Sequence, residues 1–176
     1  MRICYVANSR FPSERAHMTQ IVQMCNAFAA GGDDVALLVT DRKTQVTDSP
    51  EVFFGVPINF EIVRIPVPDI AGAAPRIPVF FRPFLFSLQR IVFALRTAGY
   101  VRRRYPDAFV YGRDEWILWL LSKFVSAPIV WESHEARFSF AARRLLSRIQ
   151  QFVVISEGIR DFYIRQGILS ERMLVA

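Results

Sequence analysis

The first forty residues restrict the fold more than any other stretch. Arg2 to Ala7, with Ile3, Cys4, Tyr5 and Val6, is a short apolar run that reads as a buried strand. Asn8 to Ser13 follows as a loop, and Ser13 is placed to cap a helix whose first turn holds Glu14. Met18, Ile21, Met24 or Cys25, and Phe28 then recur at helical spacing, and Gly31-Gly32 ends the helix before a second strand, Val35 to Thr40. Two strands joined through a helix over so short a span form a βαβ unit. Such a unit implies parallel pairing and a right-handed crossover.

The same alternation continues. Val52 to Pro57 is expected to be a short extra strand and Phe60 to Pro66 a third main strand. Pro66, Gly72, Pro68, Pro75 and Pro78 mark a stiff, irregular loop, and a long helix is expected from Val79 to Arg104. On a helical wheel Phe84, Leu88, Ile91 and Leu95 share one face and are expected inside. The opposite face carries Arg82, Phe86, Gln89, Arg90, Phe93, Arg96 and Tyr100. Arginines interleaved with aromatic rings suit an anionic membrane surface, and Arg82, Phe86, Arg90, Phe93 and Arg96 are the residues expected to meet it. A second domain or a dimer partner covering those rings is the other reading. Further strands are expected at Ala108–Tyr111, Pro128–Trp131, Phe152–Ile155 and from Met173. Helices are expected at Trp116–Phe124 and Phe138–Ile149, and from the Ser156 cap to Gly167. The last strand opens at the end of the given chain, which suggests one half of a two-domain protein.

At 176 residues, 52% hydrophobic and 22% charged, the composition is that of a globular domain with a sizeable core. The net charge of +6 favours anionic partners, but the basic residues form no nucleic-acid-binding motif. Cys4 and Cys25 form no CxxC pair and read as buried free thiols. No stretch is long and apolar enough for a membrane span, because Arg82, Gln89, Arg90 and Arg96 interrupt the most apolar region.

Chemistry concentrates where the strand Pro128–Trp131 ends in Glu132, Ser133, His134 and Glu135. Ligands of open α/β sheets bind beyond the carboxyl ends of strands, so a histidine between two glutamates there is a candidate site residue. The plain alternative is a helix cap or an ion pair with nearby arginines. The chain has no G-x-G-x-x-G, no P-loop and no G-x-S-x-G, and with two histidines and no spaced cysteines a metal site is not expected.

Taken in order, Arg2-Ile-Cys-Tyr-Val-Ala-Asn8, Pro12-Ser-Glu-Arg-Ala16, Cys25-Asn-Ala-Phe-Ala-Ala-Gly31, Asp107-Ala-Phe-Val-Tyr-Gly-Arg113, Pro128-Ile-Val-Trp-Glu-Ser-His-Glu135, Phe152-Val-Val-Ile-Ser156 and Arg172-Met-Leu-Val-Ala176 resemble the N-terminal domain of the family 4 retaining glycosyltransferases, which have the GT-B fold. The resemblance covers nearly the whole chain and rests on the order and spacing of these stretches. It implies an acceptor-side domain whose partner, a C-terminal domain absent from this chain, binds the nucleotide sugar. It implies that His134 lines the cleft near the transferred sugar as the catalytic residue. It places Asn8, Arg10, Ser13, Arg15, His17, Arg113, Asp114, Glu135 and Ser156 around the acceptor and substrate. The pattern departs from the family in three ways. The first loop lacks the Gly-Gly pair used for close approach of donor phosphates, Gly32-Asp33-Asp34 stands where Gly-His is usual, and the E-x7-E motif belongs to the absent domain.

The sequence thus leads to an α/β, Rossmann-like doubly wound domain, with a mainly parallel sheet of about seven strands and helices on both faces. The expected function is the acceptor-side half of a retaining glycosyltransferase, inactive as a fragment. Its expected partners are a nucleotide sugar as substrate, a lipid-linked or cell-envelope glycan, an anionic membrane surface and its own C-terminal domain. No cofactor, metal or nucleic acid is expected, and the expected location is cytoplasmic, peripheral at the inner face of the membrane. The alternatives are a non-catalytic binding or assembly module of the same fold and a GT-B sugar-nucleotide epimerase.

Overall fold

A computed structural model describes residues 1–69 and 78–176. Gly72 and Pro75 of the expected loop lie outside them. The strands are β1 (Arg2–Ala7), β2 (Asp34–Asp41), β3 (Glu61–Pro66), β4 (Phe109–Gly112), β5 (Ile129–Ser133), β6 (Phe152–Val154) and β7 (Met173–Val175). The α-helices are α1 (Ala16–Ala30), α2 (Pro50–Phe54), α3 (Arg82–Arg104), α4 (Glu115–Leu121), α5 (Phe140–Leu146) and α6 (Glu157–Arg165). All seven strands are parallel, in the order β3-β2-β1-β4-β5-β6-β7.

The chain therefore starts at the centre of the sheet, winds outward through β2 and β3, and returns to place β4 on the other side of β1. Right-handed crossovers then force the helices of the two directions onto opposite faces. Ile3, Tyr5, Val35, Leu37 and Val39 pack with Met18, Ile21, Val22 and Cys25 of α1. The alternate residues Cys4, Val6, Ala36 and Leu38 share the other core with Phe93, Ile117, Leu118, Leu145, Ile159 and Tyr163, from α3 to α6. The period of two along each strand divides one apolar run between two cores. Where β1 and β4 pair, Val6 lies against Gly112, and a Cβ on Gly112 would sit 2.9 Å from the Val6 carbonyl oxygen. Glycine is what allows this central contact.

Three expectations are corrected. Residues 50–54 form a helix, not a strand: the Ser49 hydroxyl accepts from the Val52 N–H, Pro50 occupies the first turn, and Gly55 closes the end at φ 65°. These terminal signals outweigh the strand preference of Val52 and the two phenylalanines. Ser13 does not cap α1, which begins at Ala16. Its hydroxyl instead accepts from the Arg15 N–H, 3.4 Å away, in a local turn.

The third correction concerns the long helix. Its buried residues are Gln89, Phe93, Ala94, Thr97, Ala98 and Val101, whereas Phe84, Leu88, Ile91 and Leu95 face outward. The small side chains Ala94, Thr97 and Ala98 let the helix approach β3 and α4, and hydrophobicity alone does not register that requirement. Phe93, expected at a membrane, is fully buried (0% exposed). Arg90 lies 3.5 Å from Asp114, and Arg96 donates to the Pro66 carbonyl at 2.6 Å. Phe86 remains exposed and Arg82 half-buried.

Candidate functional site

A sheet wound both ways has a topological switch point where successive strands leave in opposite directions, here between β1 and β4. A cleft of about 330 Å³ opens there, at the carboxyl ends of β1, β4 and β5. Its walls include Tyr5, Asn8 and Ser9 from β1 and its loop, His17 and Gln20 from α1, Arg113, Asp114 and Glu115 after β4, and Ser133, His134, Glu135 and Arg137 at the end of β5.

The alternation of β5 builds the floor. Trp131 points into the α3–α6 core, stacked on Phe152. Glu132 therefore points to the α1 side, where it is only 3% exposed. The Tyr111 hydroxyl donates to Glu132 Oε2 at 2.8 Å, while Arg113 Nη2 and His134 Nε2 lie 3.0 Å and 2.5 Å from Oε1. The second guanidinium nitrogen of Arg113 donates to Gln20 on α1 at 3.0 Å. On the opposite side of β5, Ser133 and Tyr163 are hydrogen bonded at 3.0 Å, and the Tyr163 hydroxyl reaches the Arg137 carbonyl, 3.1 Å away. This last pair holds the turn that carries Glu135.

Buried ionic groups persist only when paired and hydrogen bonded, and Glu132 has three partners. Its contacts with Arg113 and Tyr111 mark it as the carboxylate, so the Nε2 of His134 carries the proton of their contact. In the neutral ring Nδ1 is then the acceptor left for a ligand. Burial and the neighbouring carboxylate push the Tyr111 hydroxyl well above the usual tyrosine range, so it stays a donor. His17 is moved the other way, its pKa lowered first by partial desolvation and then by Arg15 and Arg113. Burial raises the pKa of the Asp114 carboxyl against the pull of Arg90. Asp114 also caps α4, accepting from the N–H groups of Trp116 and Ile117 at 3.0 and 3.2 Å.

Three polar atoms at the cleft make no hydrogen bond within the described chain although they are out of solvent: the Tyr5 hydroxyl, Asn8 Oδ1 and Arg113 Nε. Among the described residues no group of three or more His, Cys, Asp and Glu side chains could hold a metal ion.

The cleft brings together Asn8, His17, Arg113, Asp114, His134 and Glu135 from the expected site residues. Arg10 is turned away to pair with Glu14, and Arg15 and the buried Ser13 lie outside the walls. Ser156 is exposed and spends its hydroxyl on the Ile159 N–H as the cap of α6. Tyr5, Gln20, Tyr111 and Arg137 join the site without having been marked in the sequence. Only strand alternation, applied once the register of β1, β4 and β5 is known, points to the two tyrosines.

A doubly wound, all-parallel sheet of seven strands with a polar cleft at its switch point is one Rossmann-like half of the GT-B architecture. Solved structures with this fold include the lipopolysaccharide outer core galactosyltransferase WaaB in its apo form (13% identity, TM-score 0.61, 99% of this chain and 45% of that one). MurG of Acinetobacter baumannii is similar over 88% of this chain and 41% of its own length (15% identity, TM-score 0.55). UDP-GlcNAc 2-epimerase from Neisseria meningitidis, bound to UDP-GlcNAc, matches over 99% and 45% (11% identity, TM-score 0.61). The chain thus spans less than half the length of these proteins. No sequence-family model matches it, and no curated protein sequence does.

Proposed function

We propose that this chain is the acceptor-side half of a retaining glycosyltransferase that moves a sugar from a nucleotide sugar to a lipid-linked or cell-envelope glycan, with the nucleotide held by a second domain. The observation that carries this reading is the cluster of His134, Glu132 and Arg113 at the switch-point cleft. In the transfer, the bond from the anomeric carbon to the phosphate oxygen breaks and a bond from that carbon to an acceptor hydroxyl oxygen forms. The hydroxyl proton leaves with the phosphate.

In this reading His134 hydrogen-bonds a hydroxyl of the transferred sugar through the nitrogen that Glu132 leaves available. Glu132 fixes the ring, and Arg113 holds Glu132 in place. Asn8, His17 and Asp114 line the side where the acceptor enters. The test is nucleotide release by the full-length protein from a panel of UDP-, GDP- and ADP-sugars, with membrane extract as acceptor, for the wild type and for His134→Ala. Turnover with one donor, lowered at least 100-fold in the variant, is the expected result. Silence with every donor from a folded protein overturns it and favours the binding module.

A second reading, epimerisation of a sugar nucleotide, draws on the buried carboxylate of Glu132 beside the cleft and on the epimerase among the solved structures. It requires that the sugar of the donor change configuration with no acceptor present, which proton NMR of the nucleotide sugar detects.

A further inference from the structure

Helix α3 overshoots the sheet. Tyr105, just past its C-terminal end, donates to Glu61 at the start of β3 at 2.5 Å, while Arg96 reaches Pro66 at the strand's end. The helix thus runs antiparallel to β3, and its N-terminal part extends past the carboxyl end of that strand. Phe84, twelve residues before Arg96, stands about 18 Å further along the axis. The Arg90–Asp114 pair ties this overhang to the rim of the cleft.

The overhang is apolar on the outside. Phe80 and Phe84 are 75% and 67% exposed, and Phe81, Phe86, Leu88, Ile91 and Leu95 are exposed with them. Of the arginines of α3, Arg82 and Arg90 lie on the overhang, while Arg102, Arg103 and Arg104 end the helix at the other edge of the sheet, and no residue from Val79 to Arg104 is acidic. The layer continues across α4 and α5, whose buried residues also face the sheet. Their outer surface carries Trp116, Trp119 and exposed Phe140 in ring contact. Lys123 lies 4.0 Å over Trp119, and Arg144 lies over Phe140. The stretch 136–156 adds four arginines and again no acid. Apolar patches of this kind on a soluble domain mark an interaction surface. Across α3, α4 and α5 the one acid is Glu115, paired with Arg137, and apolar rings interleaved with cations match the interface of a bilayer with anionic headgroups better than a protein surface of mixed charge.

We infer that the overhang of α3, continued by the aromatic surface of α4 and α5, docks on an anionic lipid bilayer and sets the mouth of the cleft at the membrane surface. The docked residues are largely the stripe Phe80, Phe84, Leu88, Ile91 and Leu95, on the side of the helix opposite to Phe93. This inference stands apart from the transfer reaction, since lipid binding can be measured with no sugar nucleotide present.

The experiment is sedimentation of the chain with vesicles of phosphatidylcholine alone and with vesicles of phosphatidylcholine and phosphatidylglycerol, at low and high salt. The wild type is compared with the triple variant Phe80→Ser, Phe84→Ser, Leu88→Ser, whose three side chains are exposed, so that its circular dichroism and melting should match the wild type. Binding to the anionic vesicles at least tenfold tighter than to the neutral ones, weakened by salt and lowered at least tenfold in the variant, supports the inference. Equal binding of variant and wild type overturns it. So does absence of binding to anionic vesicles, and if the chain then self-associates by light scattering through the same three residues, the face belongs to a second copy of the chain.

Discussion

Glu132 draws together side chains that the chain presents from three places, namely Tyr111 inside β4, Arg113 just beyond it and His134 beyond β5. Replacing it by alanine leaves Arg113 without an anion and Tyr111 without an acceptor, both in a largely buried setting. Because the arginine keeps some contact with solvent, the expected cost is about 2–3 kcal/mol, below that of a fully buried pair. Glu132→Gln retains an acceptor for Tyr111 and should cost about 1 kcal/mol. Urea denaturation reads both as lower midpoints at unchanged slope. A midpoint of the alanine variant indistinguishable from wild type would show that the carboxylate holds nothing together. His134 and the two glutamates beside it were legible in the sequence as a polar group ending an apolar strand. The tyrosine contact was not, because it depends on which residues of β4 and β5 lie side by side.

At the scale of the element, α3 separates amphipathic pattern from packing. Its largest apolar side chains recur on one stripe, yet the fold turns that stripe outward and buries Phe93 among Ala94, Thr97 and Ala98. Phe93→Ala should therefore cost about 3–5 kcal/mol through the cavity it leaves, and Leu88→Ala no more than about 0.5 kcal/mol. Equal costs, or the reverse order, in thermal melts would place the wrong face inside. Of the two serines expected to cap helices, Ser156 does so, whereas Ser13 lies three residues before the start of α1; Ser139 and Asp114 cap α5 and α4 without having been marked as caps in the sequence. A cap residue can only act where tertiary packing starts the helix.

For the whole molecule, the sheet carries two cores, one on each face, and each contains one free thiol, Cys25 on the α1 side and Cys4 on the other. Burial pushes both thiols up to about 12, so neither is a reactive thiolate in the folded chain. If one sheet couples the two cores into a single cooperative unit, both cysteines should become accessible to a thiol reagent at the same urea concentration, coincident with loss of helical circular dichroism. Labelling of one thiol well before the other would show that the two faces open separately.

What the sequence determined by itself is the winding. Strand and helix alternate from Arg2 onward, apolar runs are short and continuous, and parallel strands linked by helices admit few arrangements. The sheet of parallel strands, helices on both faces and a polar strand end at Glu132 to Glu135 follow from local pattern. Tertiary structure alone decided which side chains share the cleft, which face of α3 is inside, and which apolar surface stays exposed. Those outcomes depend on strand order, register and the closeness with which a helix can approach a sheet. They are relations between residues dozens of positions apart, so no local period in the chain encodes them.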